Sequence, residues 1–281
     1  MSALRFARSV VSHIWNDPSN EGQRAKRVAM GLAWQLYKRS VGLPVVIRLD
    51  NGYRFIAEPR AGNSSGAIYT RVYESRYTTW LRSHVLPGGS LCDVGANSGL
   101  FALQLADLFQ RAICFEPAPD TFQLLSDNLA LNHLDRFRPV RTACSSAAGT
   151  ARLMAVGAFG CASGLEDTGV VGDRTFEVPT VRLDDALAEL DGITLLKIDT
   201  EGHDPEVLEG ARAVLARSPR TVLMVESHPR TFDKLCAFLR SIDWPIFGLD
   251  HAGKLVRSPT ALAAAENILS CGPDHPLRVT R

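Results

Sequence analysis

The stretch Leu91-Cys92-Asp93-Val94-Gly95-Ala96-Asn97-Ser98-Gly99-Leu100 constrains the fold of this chain more than any other. It reads as an apolar strand ending in an acid, then a G-x-N-x-G turn, then a helix over about 99–109. Glycine at 95 and 99 lets the backbone turn tightly and lets a ligand approach it closely. The same strand–helix alternation continues downstream. RAICFEP, PVRTAC, ITLLKID and TVLMVES are further apolar strands, and PIFGLD and NILSC are two late ones. Helices are predicted over about 119–132, over PEVLEGARAVLARS and over TFDKLCAFLRSI, with a hairpin and loop across 145–180 and a short helix at DDALAEL whose N-cap would be Asp184. Seven strands alternating with helices predict an α/β fold, with a mostly parallel seven-stranded sheet covered by helices on both faces.

Residues 1–68 read as an extension ahead of a domain spanning 69–281. Leu4, Ala7, Val11 and Ile14 share one helical face, and Val28, Leu32, Gln35 and Leu36 belong to a second amphipathic stretch. This region is basic, with Arg5, Arg8, Arg24, Lys26, Arg27, Lys38 and Arg39 against Asp17 and Glu21. Packing helices with a solvated outer face are the ordinary reading; weak contact with an anionic membrane surface is the alternative. Asp50-Asn51-Gly52 turns a β-hairpin over about 44–58, followed by a Gly/Ser-rich loop (AGNSSGA) and a helix around 70–85.

Lys+Arg total 31 against 30 Asp+Glu, which excludes a strongly basic nucleic-acid binder. No apolar run reaches the roughly 20 residues of a membrane span, and the N-terminus lacks the apolar core of a secretory signal. The six cysteines, at 92, 114, 144, 161, 236 and 271, form no CxxC pair. They are predicted to be buried reduced thiols in a cytoplasmic protein.

The acid before the Gly turn decides what the turn suits. A helix N-terminus ordinarily favours an anion. Asp93 disfavours a pyrophosphate and favours an ammonium group, which points to the zwitterionic methionine tail of S-adenosylmethionine. Glu116 lies 23 residues further on, at the end of the next strand, where an acid can accept both ribose hydroxyls. Asp93, Gly95, Asn97, Gly99 and Glu116 are therefore the cofactor-binding candidates. Glu74, on the helix ahead of the first sheet strand beside Tyr73, is a candidate to cap the pocket, with a salt-bridged surface position as the simpler account. Thr142, Ala143 and Cys144 end the strand where an adenine edge would rest, with plain core packing as the alternative. Two clusters offer catalytic groups. Asp199, Glu201 and His203 alternate after Lys197, which could pair with a carboxylate, and Asp199 also belongs to the cofactor set. Glu226 and His228 stand two apart at the end of the adjoining strand. Histidine is the default base because its pKa lies near neutrality, so His228, His203, Glu226 and Asp199 are the catalytic candidates. The same groups suit a divalent cation orienting vicinal hydroxyls, but their spacing matches no tight ligand motif, so no metal site is predicted. An NAD-dependent oxidoreductase would want G-x-G-x-x-G and a Tyr/Lys or Ser/His pair, and neither stands in the right place. A non-catalytic cofactor-binding module is the third reading.

From about Tyr69 to Asn267 the chain resembles the FkbM family of S-adenosylmethionine-dependent methyltransferases. The resemblance rests on Tyr73-Glu74, on Asp93 to Gly99, and on Phe115-Glu116-Pro117 with Asn128 and Leu131-Asn132. It continues through Val181 to Asp184, Leu196 to Gly202 with Val207-Leu208 and Gly210-Ala211, and Glu226. It implies a Rossmann-like methyltransferase fold and O-methylation of a small-molecule or glycan acceptor: a hydroxyl on a sugar, polyketide or other natural product. It also implies that the Gly turn holds the methionine part and Glu116 the ribose. The chain departs from the family pattern at His203-Asp204, where a small residue followed by Glu is more usual.

Overall fold

The structure, a computed structural model, describes residues 3–157, 159 and 163–278. Cys161 lies outside the described residues; the other five cysteines are buried free thiols. Two helices, α1 (Ala3–Asn16) and α2 (Arg24–Ser40), lead into an antiparallel hairpin of β1 (Val45–Arg48) and β2 (Arg54–Ala57), close to the expected bounds. The helices meet closely because position 31 is glycine: a Cβ there would sit 2.4 Å from Cδ1 of Ile14. The side of α2 that enters the core carries Gly31 and Trp34, whereas Leu32 and Leu36 of the expected amphipathic stretch face solvent. The Gly/Ser-rich stretch expected as a loop is helical, α3 (Gly62–Tyr69), and is followed by α4 (Ser75–His84). Helix propensity is poor across GNSSGA, but Ala67, Ile68 and Tyr69 are buried beneath α2, and tertiary burial overrides propensity.

The parallel sheet begins with β3 (Gly89–Val94), α5 (Leu100–Gln104), β4 (Phe109–Phe115), α6 (Pro119–Leu131) and β5 (Phe137–Val140). The chain then leaves the sheet. The short strands β6 (Ala143–Cys144), β7 (Gly149–Ala155), β8 (Ser163–Leu165) and β9 (Arg174–Val181) form a second sheet in the order β6-β9-β7-β8. After α7 (Leu183–Ala186), β10 (Leu195–Ile198) re-enters on the other side of β3. The rest is α8 (Asp204–Glu209), α9 (Arg212–Ala216), β11 (Val222–Glu226), α10 (Phe232–Ser241), β12 (Gly248–Leu249), β13 (Leu255–Val256), α11 (Pro259–Ala263) and β14 (Asn267–Cys271). The main sheet runs β14-β11-β10-β3-β4-β5, parallel except for β14, which is antiparallel to β11.

Three expectations are corrected. The main sheet has six strands among the described residues, not seven. PIFGLD gives one bridge, Phe247 to Leu269, then turns away to pair β12 with β13 about a turn in which Asp250 Oδ1 accepts from Ala252 N and Lys254 N. The helix expected across 205–218 is two helices, divided at Gly210-Ala211, where a Cβ at Gly210 would meet Ser145 O at 2.1 Å. Asp184 does not cap α7, whose N-cap is Arg182; its Oδ1 accepts from Val214 N in the first turn of α9.

Residues on both sides of position 68 share one buried cluster, in which Ile14, Trp34 and Phe55 join Leu91, Leu103 and Phe247. The extension is thus built into the core of the sheet. Side-chain amides of α6 and of its C-cap fasten it. Asn128 accepts from Ile56 N at 2.7 Å and donates to Ser98 O at 2.9 Å, while Asn132 accepts from Arg54 N and donates to Arg54 O, both at 2.7 Å. Asn51, at the hairpin turn, donates to the carbonyls of Leu103 and Gln104 at the end of α5. No helix among the described residues is long and apolar enough to cross a membrane.

Asn128→Ala leaves Ile56 N and Ser98 O without their partner inside the protein. A loss of about 2–4 kcal/mol is expected, at roughly 1–3 kcal/mol per orphaned group. The shift in urea midpoint measures it, and Asn132→Ala, whose bonds to Arg54 lie near solvent, should cost less.

Candidate active site

Strand order reverses between β3 and β10, and the crevice outside their carboxyl ends is where open α/β sheets hold ligands. A cleft of about 350 Å³ lies there, walled by the ends of β3, β4, β10 and β11, by the start of α3 and by the small sheet. Gly95, Asn97, Glu116, Glu74, Ala143, Asp199, Glu201, His203 and Glu226, all sequence candidates, line it. Thr142 and Cys144 line it too, beside Leu153 and Leu165 of the small sheet. Gly99 caps the start of α5 with φ 80°, where a Cβ would press on Leu125 Cδ1 at 2.7 Å.

Gly95 must be glycine. Its φ is 75°, and a Cβ there would lie 1.8 Å from the carbonyl oxygen of Asp199. Close packing of the β3 turn against the end of β10 thus sets the floor of the cleft. Asn97, with φ 50°, aims its N–H at Glu116 Oε2 at 3.0 Å, and Ala118 N donates to Glu116 Oε1 at 2.9 Å. Burial pushes the Glu116 carboxyl up to about 7 in spite of these two donors. Each oxygen keeps a further lone pair for a ligand hydroxyl.

Asp93 requires a correction. It was expected to meet the ammonium of a cofactor directly. In the structure it is wholly buried, it is not among the residues lining the cleft, and the cation nearest it comes from the protein itself. Lys197 Nζ stands 3.6 Å from Asp93 Oδ1, 3.0 Å from Asp199 Oδ2, and donates to Gly95 O at 3.3 Å. Burial works against the Lys197 charge, but Asp199, Asp93 and Glu74 outweigh it and hold the ammonium well above its ordinary range. Burial raises Asp93, with Lys197 opposing. Of the carboxylates around Lys197, Asp199 and Glu74 reach the cleft, whereas Asp93 does not.

Glu74, Asn97 and Glu201 are three of the five non-glycine residues with positive φ among the described residues, and all three line the cleft. A left-handed glutamate costs on the order of 1–2 kcal/mol, so the surrounding structure holds Glu74 and Glu201 there against a local penalty. Asp199, Glu201 and His203 do share one side, though not along an extended strand: Glu201 (φ 57°) and Gly202 (φ 106°) turn the chain sharply, and Asp204 accepts from Thr200 N, Thr200 Oγ1 and Gly202 N to hold the turn. His203 pairs through Nε2 with Ser145 Oγ at 2.9 Å, and its Nδ1 stands 3.3 Å from Asp167 Oδ2 without hydrogen-bond geometry. His228 is not among the lining residues, and its Nδ1 accepts from Arg230 N at 3.1 Å. Glu226 faces the cleft instead. Burial, then the charges of Asp199, Glu201 and Asp204, pushes its carboxyl up to about 8. Burial likewise pushes Glu74 up to about 7, with Lys197 opposing.

Sequence reasoning overlooked Asn63, which donates to Asn97 Oδ1 at 3.1 Å and to Ser98 Oγ at 2.5 Å. It sits in the GNSSGA stretch, where no periodicity marks a helix. Among the described residues no group of three or more His, Cys, Asp or Glu is placed to hold a metal ion.

Residues 93–244 match the family model described as the methyltransferase FkbM domain. The chain belongs to the FkbM methyltransferase family. The match starts at Asp93, so Tyr73-Glu74 and the N-terminal helices lie ahead of it. Methyltransferase sdnD of Sordaria araneosa is 34% identical over 155 residues, which is 43% of this chain and 59% of that protein. A methyltransferase FkbM from Methylobacillus flagellatus KT is similar in structure, with a TM-score of 0.47 and 16% identity over 88% of this chain and 60% of that one. A precorrin-6y C5,15-methyltransferase from Geobacter metallireducens GS-15 has a TM-score of 0.42 and 12% identity over 70% and 86%. The chain thus spans about three-fifths of the length of sdnD and of the Methylobacillus flagellatus protein.

The buried charges of this FkbM protein make a paired prediction. Lys197→Met leaves Asp93 buried without its cation, so a loss of about 3–5 kcal/mol is expected. The folded Asp93 carboxyl then lies above its unfolded value, so ionising it costs the fold more as pH rises, and the loss grows above the normal carboxylate range. Adding Asp93→Asn should recover much of the stability and flatten the pH dependence, as read by urea unfolding across pH 5–8.

Proposed function

We propose that this chain transfers a methyl group from S-adenosylmethionine to a hydroxyl oxygen of a small-molecule or glycan acceptor: a sugar, or a polyketide-type natural product. The observation that carries the reading is Glu116, held by the amides of Asn97 in the Gly turn and of Ala118 at the start of α6, and lining the cleft at the end of the strand next to β3. That is where a nucleoside cofactor presents its ribose hydroxyls. The five buried free thiols support a reducing, cytoplasmic setting.

The cleft's polar atoms fit the cofactor. Of the ten buried side-chain atoms without a hydrogen-bond partner among the described residues, five belong to lining residues: Asn63 Oδ1, Glu74 Oε2, Ser163 Oγ, His203 Nδ1 and Glu226 Oε2. Buried polar groups are normally satisfied, so this concentration marks a place prepared for a ligand. Lys197, Asp199 and Glu74 bring a cation and two acids together, the complement of an amino-acid zwitterion. Ala143, Cys144, Leu153 and Leu165 supply an apolar wall for a purine. When bound, S-adenosylmethionine supplies an electrophilic methyl on a sulfonium sulfur.

The chain's residues then have two tasks. Positioning cofactor and acceptor against each other supplies most of the acceleration. The acceptor hydroxyl, a weak nucleophile while protonated, needs a proton acceptor as its oxygen forms the new bond. Glu226 Oε2 is buried, unpaired and faces the cleft, and a carboxyl held near pH 8 is a competent base near neutrality. His203 Nε2 is engaged by Ser145 and its Nδ1 lies beside Asp167, so Glu226 is the base of choice.

Glu226→Gln should lower kcat by about 10²–10⁴-fold while leaving affinity for S-adenosylhomocysteine unchanged. In the wild type, with S-adenosylmethionine saturating, kcat/KM for the acceptor should climb as pH rises towards about 8 and level off above it, and the substitution should remove that climb. Labelled S-adenosylmethionine with a panel of glycosides and polyketides provides the assay. Full activity in Glu226→Gln would discard it as base.

A second test concerns the cofactor. Ribose hydroxyls donate to an ionised Glu116, so affinity for S-adenosylhomocysteine should improve as pH rises through about 7. Glu116→Gln should bind more weakly with a shallower pH dependence. Calorimetry between pH 6 and 8 reads both, and wild-type affinity in Glu116→Gln would refute the ribose assignment.

A further inference from the structure

Helix α2 turns an unusual side to solvent. Its inner side, carrying Gly31 and Trp34, packs on α1 and α3. On the opposite side a charged surface is the norm. Here Ala25, Ala29, Leu32, Ala33 and Leu36 follow one another at helical spacing, and all are exposed, Leu36 by 68%. Lys26 and Arg39 flank this stripe on its two sides. The apolar character continues past the helix end through Val41 and Leu43, the latter 62% exposed, to Val46 on β1. Seven of the ten exposed large hydrophobic residues described lie between Trp15 and Val46, so apolar exposure is concentrated in this one region.

Charge is concentrated there too. Residues 1–48 hold eight Lys/Arg against Asp17 and Glu21, while the remainder of the chain holds 23 basic residues against 28 acidic ones. The near-neutral total conceals a cationic N-terminal layer on an acidic body.

We propose that the outer face of α2, continued by Val41, Leu43 and Val46, docks on an anionic lipid surface. An apolar stripe flanked by cations buries its side chains at the headgroup boundary while Lys and Arg meet acidic headgroups. The charge selects this occupant over a second copy of the chain, because two such faces would bring like charges together. The position of α2 gives docking a consequence. Its inner side packs on α3, whose first residues, Gly62 and Asn63, line the cleft. A docked α2 therefore holds the cleft a helix away from the lipid, within reach of an acceptor anchored in it. Docking itself does not depend on the identity of that acceptor or on methyl transfer.

The full chain is to be co-sedimented with vesicles of phosphatidylcholine alone and of phosphatidylcholine mixed with phosphatidylglycerol. Binding to the mixed vesicles is expected, falling by about tenfold or more without the anionic lipid or at high salt. Leu32→Asp/Leu36→Asp should abolish it while keeping the urea midpoint and the affinity for S-adenosylhomocysteine. Leu36→Ser, a milder change at the most exposed position, should weaken it several-fold. Retention of wild-type vesicle binding by both variants, equal binding to the two kinds of vesicle, or no binding overturns the proposal. So does a dimer by light scattering that Leu36→Ser converts to monomer, since the face would then join two copies of the chain.

Discussion

A single buried ammonium organises the centre of this molecule. Lys197 sits between Asp93, beneath the cleft floor, and Asp199, at the cleft wall, and also caps the carbonyl of Gly95. Two carboxylates and one carbonyl from the ends of two adjacent parallel strands surround one ammonium, so the ends of β3 and β10 are tied to one another. The absence of a side chain at Gly95 allows the same two segments to touch through backbone. The arrangement also explains why an acid can survive at Asp93 with no exposure: its counter-charge is internal, and a ligand need not provide it.

Around that centre the cleft accumulates carboxylates. Glu74, Asp199, Glu201 and Glu226 face one another with Lys197 as their shared cation, so burial and mutual repulsion push Glu74 and Glu226 towards neutrality. Two of these residues, Glu74 and Glu201, are also held in left-handed backbone conformations. The site thus stores unfavourable electrostatics and local strain together. The sheet and the hydrophobic cluster beneath it provide the stability against which that cost is set, and the clustering of such features is characteristic of positions where a protein does chemistry.

The N-terminal layer does more than cover one face. Its hairpin is held by the amides of Asn128 on α6 and Asn132 at its C-cap, and Asn63 at the start of α3 reaches the turn that holds Glu116. Residues ahead of the family match therefore complete the cleft, and α2, resting on α3, presents the apolar, cation-flanked stripe on the far side.

Much of this was legible in the sequence, for local reasons. The β3 turn, the strands that follow it and the acids at their ends announce themselves through apolar runs, glycines and fixed spacing, and the structure puts Glu116, Asp199 and Glu226 in one cleft. The hairpin at Asn51-Gly52 was readable because turn chemistry depends on neighbouring residues alone. What sequence could not decide involved partners distant along the chain. Leu32 and Leu36 look like core residues until the positions of Ile14 and Tyr69 show that Gly31 is the contact. Asp93 looks like a ligand for a cofactor until Lys197, far away in sequence, claims it. GNSSGA looks like a linker until burial under α2 makes it helical. Likewise, His228 and Glu226 appear equivalent on a strand end, and only the path of the loop through Arg230 turns one aside and leaves the other facing the cleft. Periodicity and turn chemistry fix elements; which face is buried, and which charge meets which, is fixed only when the elements pack.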